Sequence, residues 1–156
     1  MEIERKFLVR DDSWRRWDAN VIAIRQFYLG WRNDFSVRVR IVDDANAYLT
    51  MKTGAGMSRG EFEYEIPMAD ALDLQQARIG RIIAKRRHRL PLGRHMIEID
   101  VFEGDLAPLI VAEIELQRAD DRVDLPSFMG AEVTGDAAYS NTRLALSGMS
   151  DTSPSL

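Results

Sequence analysis

The sequence contains no cysteine and only two histidines, His88 and His95. The absence of cysteine excludes disulfides, thiolate catalysis and cysteine-held zinc. The scarcity of histidine argues against a histidine-rich metal site. Neither histidine falls in a strong ligand spacing, so we expect both to be structural or exposed.

Long apolar runs and an excess of positive charge are also missing. No stretch is long enough to span a membrane as a helix, and the charged N-terminus does not resemble a signal peptide. A formal net charge of -4 argues against duplex nucleic acid as the main partner. We therefore expect a cytoplasmic protein with no membrane or nucleic-acid partner. Its length fits one domain over residues 1–146, with a polar, disordered tail over residues 147–156.

Period-two alternation of charged and apolar residues is the dominant pattern, and it predicts strands. Three short helices are predicted over residues 11–17, 68–79 and 136–147. The fold class is therefore α+β, mainly β, and about eight strands are enough to close a small barrel. The predicted strands cover residues 1–9, 22–29, 36–42, 47–52, 61–66, 83–90, 95–102 and 110–116.

Most of these strands carry charges of one sign on one face. Residues two apart in a strand lie roughly 7 Å apart on the same side. Like charges held side by side repel each other, which costs stability unless something bridges them. The pairs are Glu2 and Glu4, Arg38 and Arg40, Glu61 and Glu63, and Glu113 and Glu115.

Two interpretations account for charged strand faces. A half-buried sheet with a solvated outer face explains any single strand, but it explains seven or eight strands less well. A solvated face usually includes Thr, Ser and Gln, whereas these faces are almost purely charged. The alternative is a site in which carboxylates hold a hard divalent cation and basic residues hold a polyanion. A metal-complexed oligophosphate matches both sets.

The segment Met1-Glu2-Ile3-Glu4-Arg5-Lys6 contains Glu-x-Glu-x-Lys and resembles the signature of the CYTH superfamily, the triphosphate tunnel metalloenzymes. The resemblance covers about residues 1–146. It implies a closed eight-stranded antiparallel β-barrel tunnel with helices packed outside, a divalent metal (Mg²⁺ or Mn²⁺) and a small-molecule triphosphate substrate. It continues through Arg38-Val39-Arg40, Lys52, Glu61-Phe62-Glu63, Lys85-Arg86-Arg87, Glu98-Ile99-Asp100 and Glu113-Ile114-Glu115.

The same resemblance implies roles for individual residues. The metal-side carboxylates would be Glu2, Glu4, Glu113 and Glu115, while Glu61 and Glu63 would complete the metal shell or orient the basic residues. The phosphate clamp would be Lys6, Arg38, Arg40, Lys52, Lys85 and Arg87. Ser140 stands where the family usually has a basic residue, so this end of the chain departs from the pattern.

For the reaction we expect in-line attack of water on the terminal phosphorus. Lys52, assisted by Tyr28, is the candidate base, because a lysine among several cations is easier to deprotonate. The alternative is that Lys52 is only a phosphate contact and that Tyr28 only packs.

Hydrolysis of inorganic tripolyphosphate is the first functional hypothesis, because the predicted lining is nearly all charge. Thiamine or nucleoside triphosphate hydrolysis and a non-catalytic oligophosphate sensor are alternatives. Adenylate cyclase ranks below them, because cyclases of this superfamily carry a His-Phe element upstream of a motif that here begins at residue 2. A homodimer is left open.

Overall fold

The computed structural model describes residues 3–17, 19–54 and 60–146, which form nine strands and two α-helices. Single 3-10 turns lie at Ser13–Arg16, Gln75–Ala77, Gly104–Leu106 and Ala137–Tyr139. The strands are β1 (Ile3–Val9), β2 (Asn20–Arg32), β3 (Phe35–Val42), β4 (Asn46–Thr53), β5 (Gly60–Ile66), β6 (Ile79–Leu92), β7 (His95–Phe102), β8 (Ile110–Leu116) and β9 (Met129–Glu132). The helices are α1 (Met68–Leu74) and α2 (Asn141–Leu146).

All nine strands belong to one antiparallel sheet with the order β5-β4-β3-β2-β6-β7-β8-β1-β9. The mainly β class is confirmed, and all eight predicted strands are present. The closed eight-stranded barrel is wrong, because the described part of the chain forms a curved sheet with β5 and β9 at its edges. The ninth strand explains the difference: β9 takes the edge of β1 that would have to meet β5 in a closed barrel.

The register places the predicted charged residues on one face of the sheet. Directly opposed residues in an antiparallel ladder point to the same side. Charged and polar residues of neighbouring strands stand directly opposite each other at several positions across the sheet. The pairings include Glu61 with Lys52, Arg38 with Tyr28, Arg40 with Gln26, Arg87 with Asp100, Glu98 with Glu113, and Glu113 with Lys6. Since β1 and β4 line one cavity although they lie far apart in strand order, this face is concave.

The convex face carries most of the hydrophobic core. One cluster packs Trp14 and Phe128 onto Ile97, Ile99 and Ile114. A second packs α1 onto strands β2 to β4, so this helix lies outside the sheet as predicted. His88 meets the edge of the Trp14 ring with the ring centroids 4.7 Å apart, which is a packing role.

Helix α2 corrects the expectation that the helices pack outside. Leu144 and Ala145 are buried against Tyr28, Ile83 and Phe102, whose side chains belong to the concave face. Gly80 permits this approach: it has a φ of +71°, and a Cβ there would lie 2.4 Å from the carbonyl oxygen of Ala145. The C-terminal helix therefore fills part of the space inside the curved sheet.

The predicted helix boundaries also need correction. The helix predicted over residues 68–79 ends at Leu74, and Ile79 already begins β6. Asp136 acts as a cap, as predicted, but it caps a 3-10 turn by accepting a hydrogen bond from the Ala138 amide, and α2 begins only at Asn141. The tail predicted over residues 147–156 lies outside the described residues. No helix in the described ranges has the length and apolar character needed to cross a membrane.

Candidate active site

A cavity of about 320 Å³ opens on the concave face. Its walls come from β1 to β4, the turn at residues 33–34, Gly54 and the first residues of α2. Five residues predicted from the sequence line it: Glu4, Lys6, Tyr28, Arg38 and Lys52. The curved sheet therefore brings both proposed base residues and one metal-side carboxylate to the same space as two clamp cations.

Carboxylates and Lys6 meet where β1 pairs with β8. The Nζ of Lys6 lies 3.5 Å from a carboxylate oxygen of Glu113 and donates to the carbonyl of Tyr139 at 3.1 Å. Burial raises the pKa of Glu113, but Lys6 and a hydrogen bond with Glu4 lower it overall. Glu115 is exposed and stands directly opposite Glu4 in the register.

These carboxylates offer a hard cation only oxygen ligands. In the described part of the chain no three acidic or histidine side chains converge on one point, and Glu2 lies outside it. Mg²⁺ usually takes one or two carboxylates, several waters and substrate phosphate oxygens. The neighbouring Glu4 and Glu113 carboxylates fit such an ion without a full protein cage.

The remaining predicted metal ligands, Glu61 and Glu63, lie on the edge strand β5 and are exposed. Glu61 stands opposite Lys52 in the register, and Glu63 accepts a hydrogen bond from the Thr50 hydroxyl at 3.2 Å. The sheet therefore sets these carboxylates beside β4. Their assignment as metal ligands stays a prediction.

Two predicted clamp residues are buried in an ion network on the same face of the sheet. The Lys85 ammonium, fully buried, donates to Asp100 at 2.7 Å. Arg87 makes two parallel hydrogen bonds to the same carboxylate at 2.8 and 3.0 Å. Burial lowers the pKa of Lys85 to about 8, against the opposing effect of Asp100.

The pKa values of Asp100 and Arg87 shift in the directions expected for a tight ion pair. Burial raises the pKa of Asp100, but Lys85 and Arg87 more than offset it and hold that pKa well below its ordinary value. Burial lowers the pKa of Arg87, and its bonds to Asp100 raise it overall. The Asp100 carboxylate therefore stays ionised and fixes the direction of both basic side chains.

Arg40 and Arg38 add positive charge beside this network. Arg40 donates from Nε to the side-chain oxygen of Gln26 at 2.9 Å. Burial lowers the pKa of Arg40, and Arg38 and Arg87 lower it further. Arg38 is 8% exposed, and its Nε has no hydrogen-bond partner among the described residues. Positive charge is therefore in excess here.

Sequence reasoning assigned no role to two residues of this cluster. Asp100 belongs to the quoted Glu98-Ile99-Asp100 segment, and Gln26 lies in phase with Tyr28. Period-two spacing placed both on the charged face. The signal that would have singled them out is burial with cationic neighbours, which only the strand register supplies.

Comparison with known proteins agrees with this architecture. A CYTH domain is matched by residues 1–143. An inorganic triphosphatase of Acetivibrio thermocellus is 39% identical over 145 residues, which cover 92% of this chain and 92% of that protein. An inorganic triphosphatase of Nitrosomonas europaea is 37% identical over 151 residues, covering 94% of this chain and 97% of that protein. A crystal structure of an inorganic triphosphatase matches with a TM-score of 0.72 and 33% identity, covering 94% of this chain and 95% of that chain. The chain belongs to the CYTH domain family.

Proposed function

We propose that this protein is a divalent-metal-dependent hydrolase that removes the terminal phosphate of inorganic triphosphate. Two similar proteins that share more than a third of their residues with it are named inorganic triphosphatases. The reaction adds water across one phosphoric anhydride bond and releases orthophosphate and pyrophosphate.

The excess of buried positive charge beside a carboxylate pair carries the proposal. Arg38, Arg40, Lys85 and Arg87 lie on one face, where Asp100 is bonded to Lys85 and Arg87 and Glu98 lies 3.5 Å from Arg87, so four cations face two carboxylates. A bound polyanion would supply the missing negative charge and would accept from donors, such as the Nε of Arg38, that have no partner among the residues the structure describes. Glu4 and Glu113 lie across the same concave face.

Each group then has a part in the chemistry. Arg38 and Arg40 would bind phosphoryl oxygens and stabilise the charge that develops on them. Lys6, held between Glu113 and the Tyr139 carbonyl, would contact the end of the triphosphate nearest to β1. Glu4 and Glu113, with Glu2 as the motif implies, would hold Mg²⁺ or Mn²⁺, which supplies charge neutralisation to the phosphate oxygens.

For proton transfer we propose Lys52, assisted by Tyr28. Both line the cavity, and Tyr28 is 5% exposed and packed against the α2 cluster. The register places Tyr28 opposite Arg38 and Lys52 opposite Ser36 two residues along β3, so the two side chains occupy neighbouring rows of one face. A base must be unprotonated to accept a proton from water, which makes the rate rise with pH.

Replacing Lys52 separates a base from a phosphate contact. Lys52→Arg keeps the positive charge but introduces a group that does not deprotonate. We expect kcat to fall on the order of 10²-fold or more and the alkaline rise of the pH–rate profile to disappear, with KM nearly unchanged. Lys52→Ala should lose the same rise. A variant that keeps the wild-type pH profile would leave Lys52 as a phosphate contact.

The proposed activity is tested by phosphate release from tripolyphosphate, ATP, GTP and thiamine triphosphate with Mg²⁺ or Mn²⁺, and with EDTA as the metal-free control. We expect tripolyphosphate to be hydrolysed fastest and EDTA to abolish turnover. Binding without turnover across the panel would identify an oligophosphate sensor, and cyclic AMP from ATP would identify a cyclase. Activity in EDTA would contradict the metal requirement. A cytoplasmic location and a homodimer stay predictions.

A further inference from the structure

Gln26 is a fully buried polar side chain at the centre of the cationic cluster. It lies on β2, opposite Arg40 on one side and Ile83 on the other. Its side-chain oxygen accepts the hydrogen bond from Arg40, whereas its Nε2 amide nitrogen has no hydrogen-bond partner among the described residues. A buried donor without a partner costs stability, so its presence in a tightly packed face calls for an explanation.

The guanidinium of Arg40 determines which atom of the Gln26 amide it can bond to, and therefore which atom needs another partner. A guanidinium has donors and no acceptor, so only the oxygen of Gln26 can face it. The NH₂ group must therefore point elsewhere. Arg38 and Lys85, the charged residues nearest to it in the register on this face, are also donors only, and the Asp100 carboxylate already accepts from Lys85 and Arg87. Since no acceptor among the described residues reaches this nitrogen, a bound group with an acceptor oxygen would complete its hydrogen bonding.

We propose that Gln26 is a substrate-binding residue that donates from Nε2 to a phosphate oxygen of the triphosphate while its oxygen orients Arg40. The inference rests on the proposed function, because it takes the triphosphate as the anion. The Nε of Arg38, two residue pairs along the β2–β3 ladder, also has no partner in the described ranges and has the same requirement for an acceptor. A phosphate oxygen accepts several hydrogen bonds at once, so one oligophosphate can satisfy both donors.

Two substitutions separate the two ends of the amide. Gln26→Glu keeps an acceptor for Arg40 and replaces the donor with a second acceptor oxygen. Gln26→Met is neutral and of similar shape, and it removes the donor without adding charge. The carboxylate of Gln26→Glu would repel the triphosphate whichever role Gln26 has, so the neutral Gln26→Met decides between the two roles. If Gln26 acts only through Arg40, Gln26→Met should have no further effect on triphosphate binding in an Arg40→Met background. If Nε2 donates to phosphate, Gln26→Met should weaken binding in both backgrounds.

We expect KM for tripolyphosphate to rise on the order of tenfold or more in both variants. We also expect the rise in Tm on adding tripolyphosphate in EDTA to shrink in both, while Gln26→Glu without ligand melts at or above the wild-type temperature. Gln76→Glu, the same change at an exposed position of the Gln75–Ala77 turn, is the matched control and should change neither value.

A wild-type KM and a wild-type ligand-induced rise in Tm in either Gln26 variant would overturn the assignment. The Tm measurement needs no turnover, so it also tests the contact if the wild-type protein proves inactive. In that case the proposed hydrolysis fails and the anion-binding role of Gln26 is judged separately.

Discussion

Two groups of side chains share the concave face of the sheet, and they differ in what balances their charge. The cavity group consists of Glu4, Lys6, Tyr28, Arg38 and Lys52, which line the 320 Å³ space. The network group consists of Lys85, Arg87 and Asp100, which bond to one another on the same face. Both come from strands of one sheet with the same alternation.

The difference divides one charged sheet face into a part whose charges are paired and a part that lines a cavity. In the network group, Asp100 holds Lys85 and Arg87 in fixed directions before any ligand arrives. Such preorganisation allows the donors to meet developing charge without rearranging. In the cavity group, Arg38 lines the cavity, and its Nε has no hydrogen-bond partner within the described part of the chain. The network group should therefore govern stability first, and the cavity group should govern activity first.

Removing the charge of Asp100 should give the largest effect. Asp100→Asn leaves the buried cations Lys85 and Arg87 without their shared carboxylate. Breaking a buried ion network in this way costs about 3–5 kcal/mol of unfolding free energy. Urea unfolding followed by circular dichroism measures the loss. The matched control is Asp44→Asn. Asp44 pairs with Arg25, but its side chain is 78% exposed, so this change should alter the unfolding free energy by less than about 1 kcal/mol.

The lowered pKa of Asp100 also makes the unfolding free energy depend on pH. Because the folded pKa of Asp100 lies below its unfolded value, the unfolded state binds the proton more readily. The stability that ionised Asp100 contributes is fully present above about pH 4. It is lost as the pH falls through the pKa of Asp100 in the folded protein. Asp100→Asn should lack this part of the acid sensitivity. Equal acid sensitivity in wild type and variant would assign it to other carboxylates.

Truncating Arg38 should affect activity and leave stability nearly unchanged. Arg38→Ala removes a guanidinium that lines the cavity, and losing one donor to the transition state costs on the order of 10²–10³ in kcat. Tripolyphosphate hydrolysis gives kcat, and a thermal melt of the same sample gives Tm. Arg25→Ala, on the opposite face of neighbouring β2, is the matched control for removing an arginine and should retain activity. A large fall in Tm for Arg38→Ala would assign it to the network group.

The sequence predicted most of the charged face because a strand has a fixed two-residue period. Once the strands at 36–42 and 83–90 were recognised, Arg38 and Arg40 had to share one side, as did Lys85 and Arg87. The antiparallel register then joined these sides into one surface. Local alternation therefore determined which residues face the site, although their individual roles stay predictions.

Features that depend on contacts between distant segments were missed. Strand β9 is four residues long and includes Gly130, so it shows no alternation; it is defined by pairing with β1. A Cβ at Gly130 would lie 2.9 Å from the carbonyl oxygen of Leu8, which explains the glycine. The inward position of α2 depends likewise on Leu144 meeting Ile83 and Phe102. Periodicity carries no information on which face of a sheet a short helix covers.

The smallest predicted effect concerns a solvent-accessible arginine–carboxylate pair on the convex face. Arg5 makes two hydrogen bonds to Glu132, at 2.8 and 3.1 Å, much as Arg87 does to Asp100. These hydrogen bonds and one from Thr134 lower the pKa of Glu132 to about 2, so the pair stabilises the fold above about pH 4.5 and weakens as the pH falls toward 2.

Exposure should make this outer pair weak. Its side chains are 31% and 40% exposed, against 11% and 5% for Arg87 and Asp100. Glu132→Gln should therefore lower the unfolding free energy by about 1 kcal/mol or less in the same urea experiment, and added salt should reduce the difference further. Tripolyphosphate hydrolysis should be unchanged, because Arg5 and Glu132 lie on the other face. A loss as large as that of Asp100→Asn would mean that bidentate geometry, rather than burial, makes the inner network important.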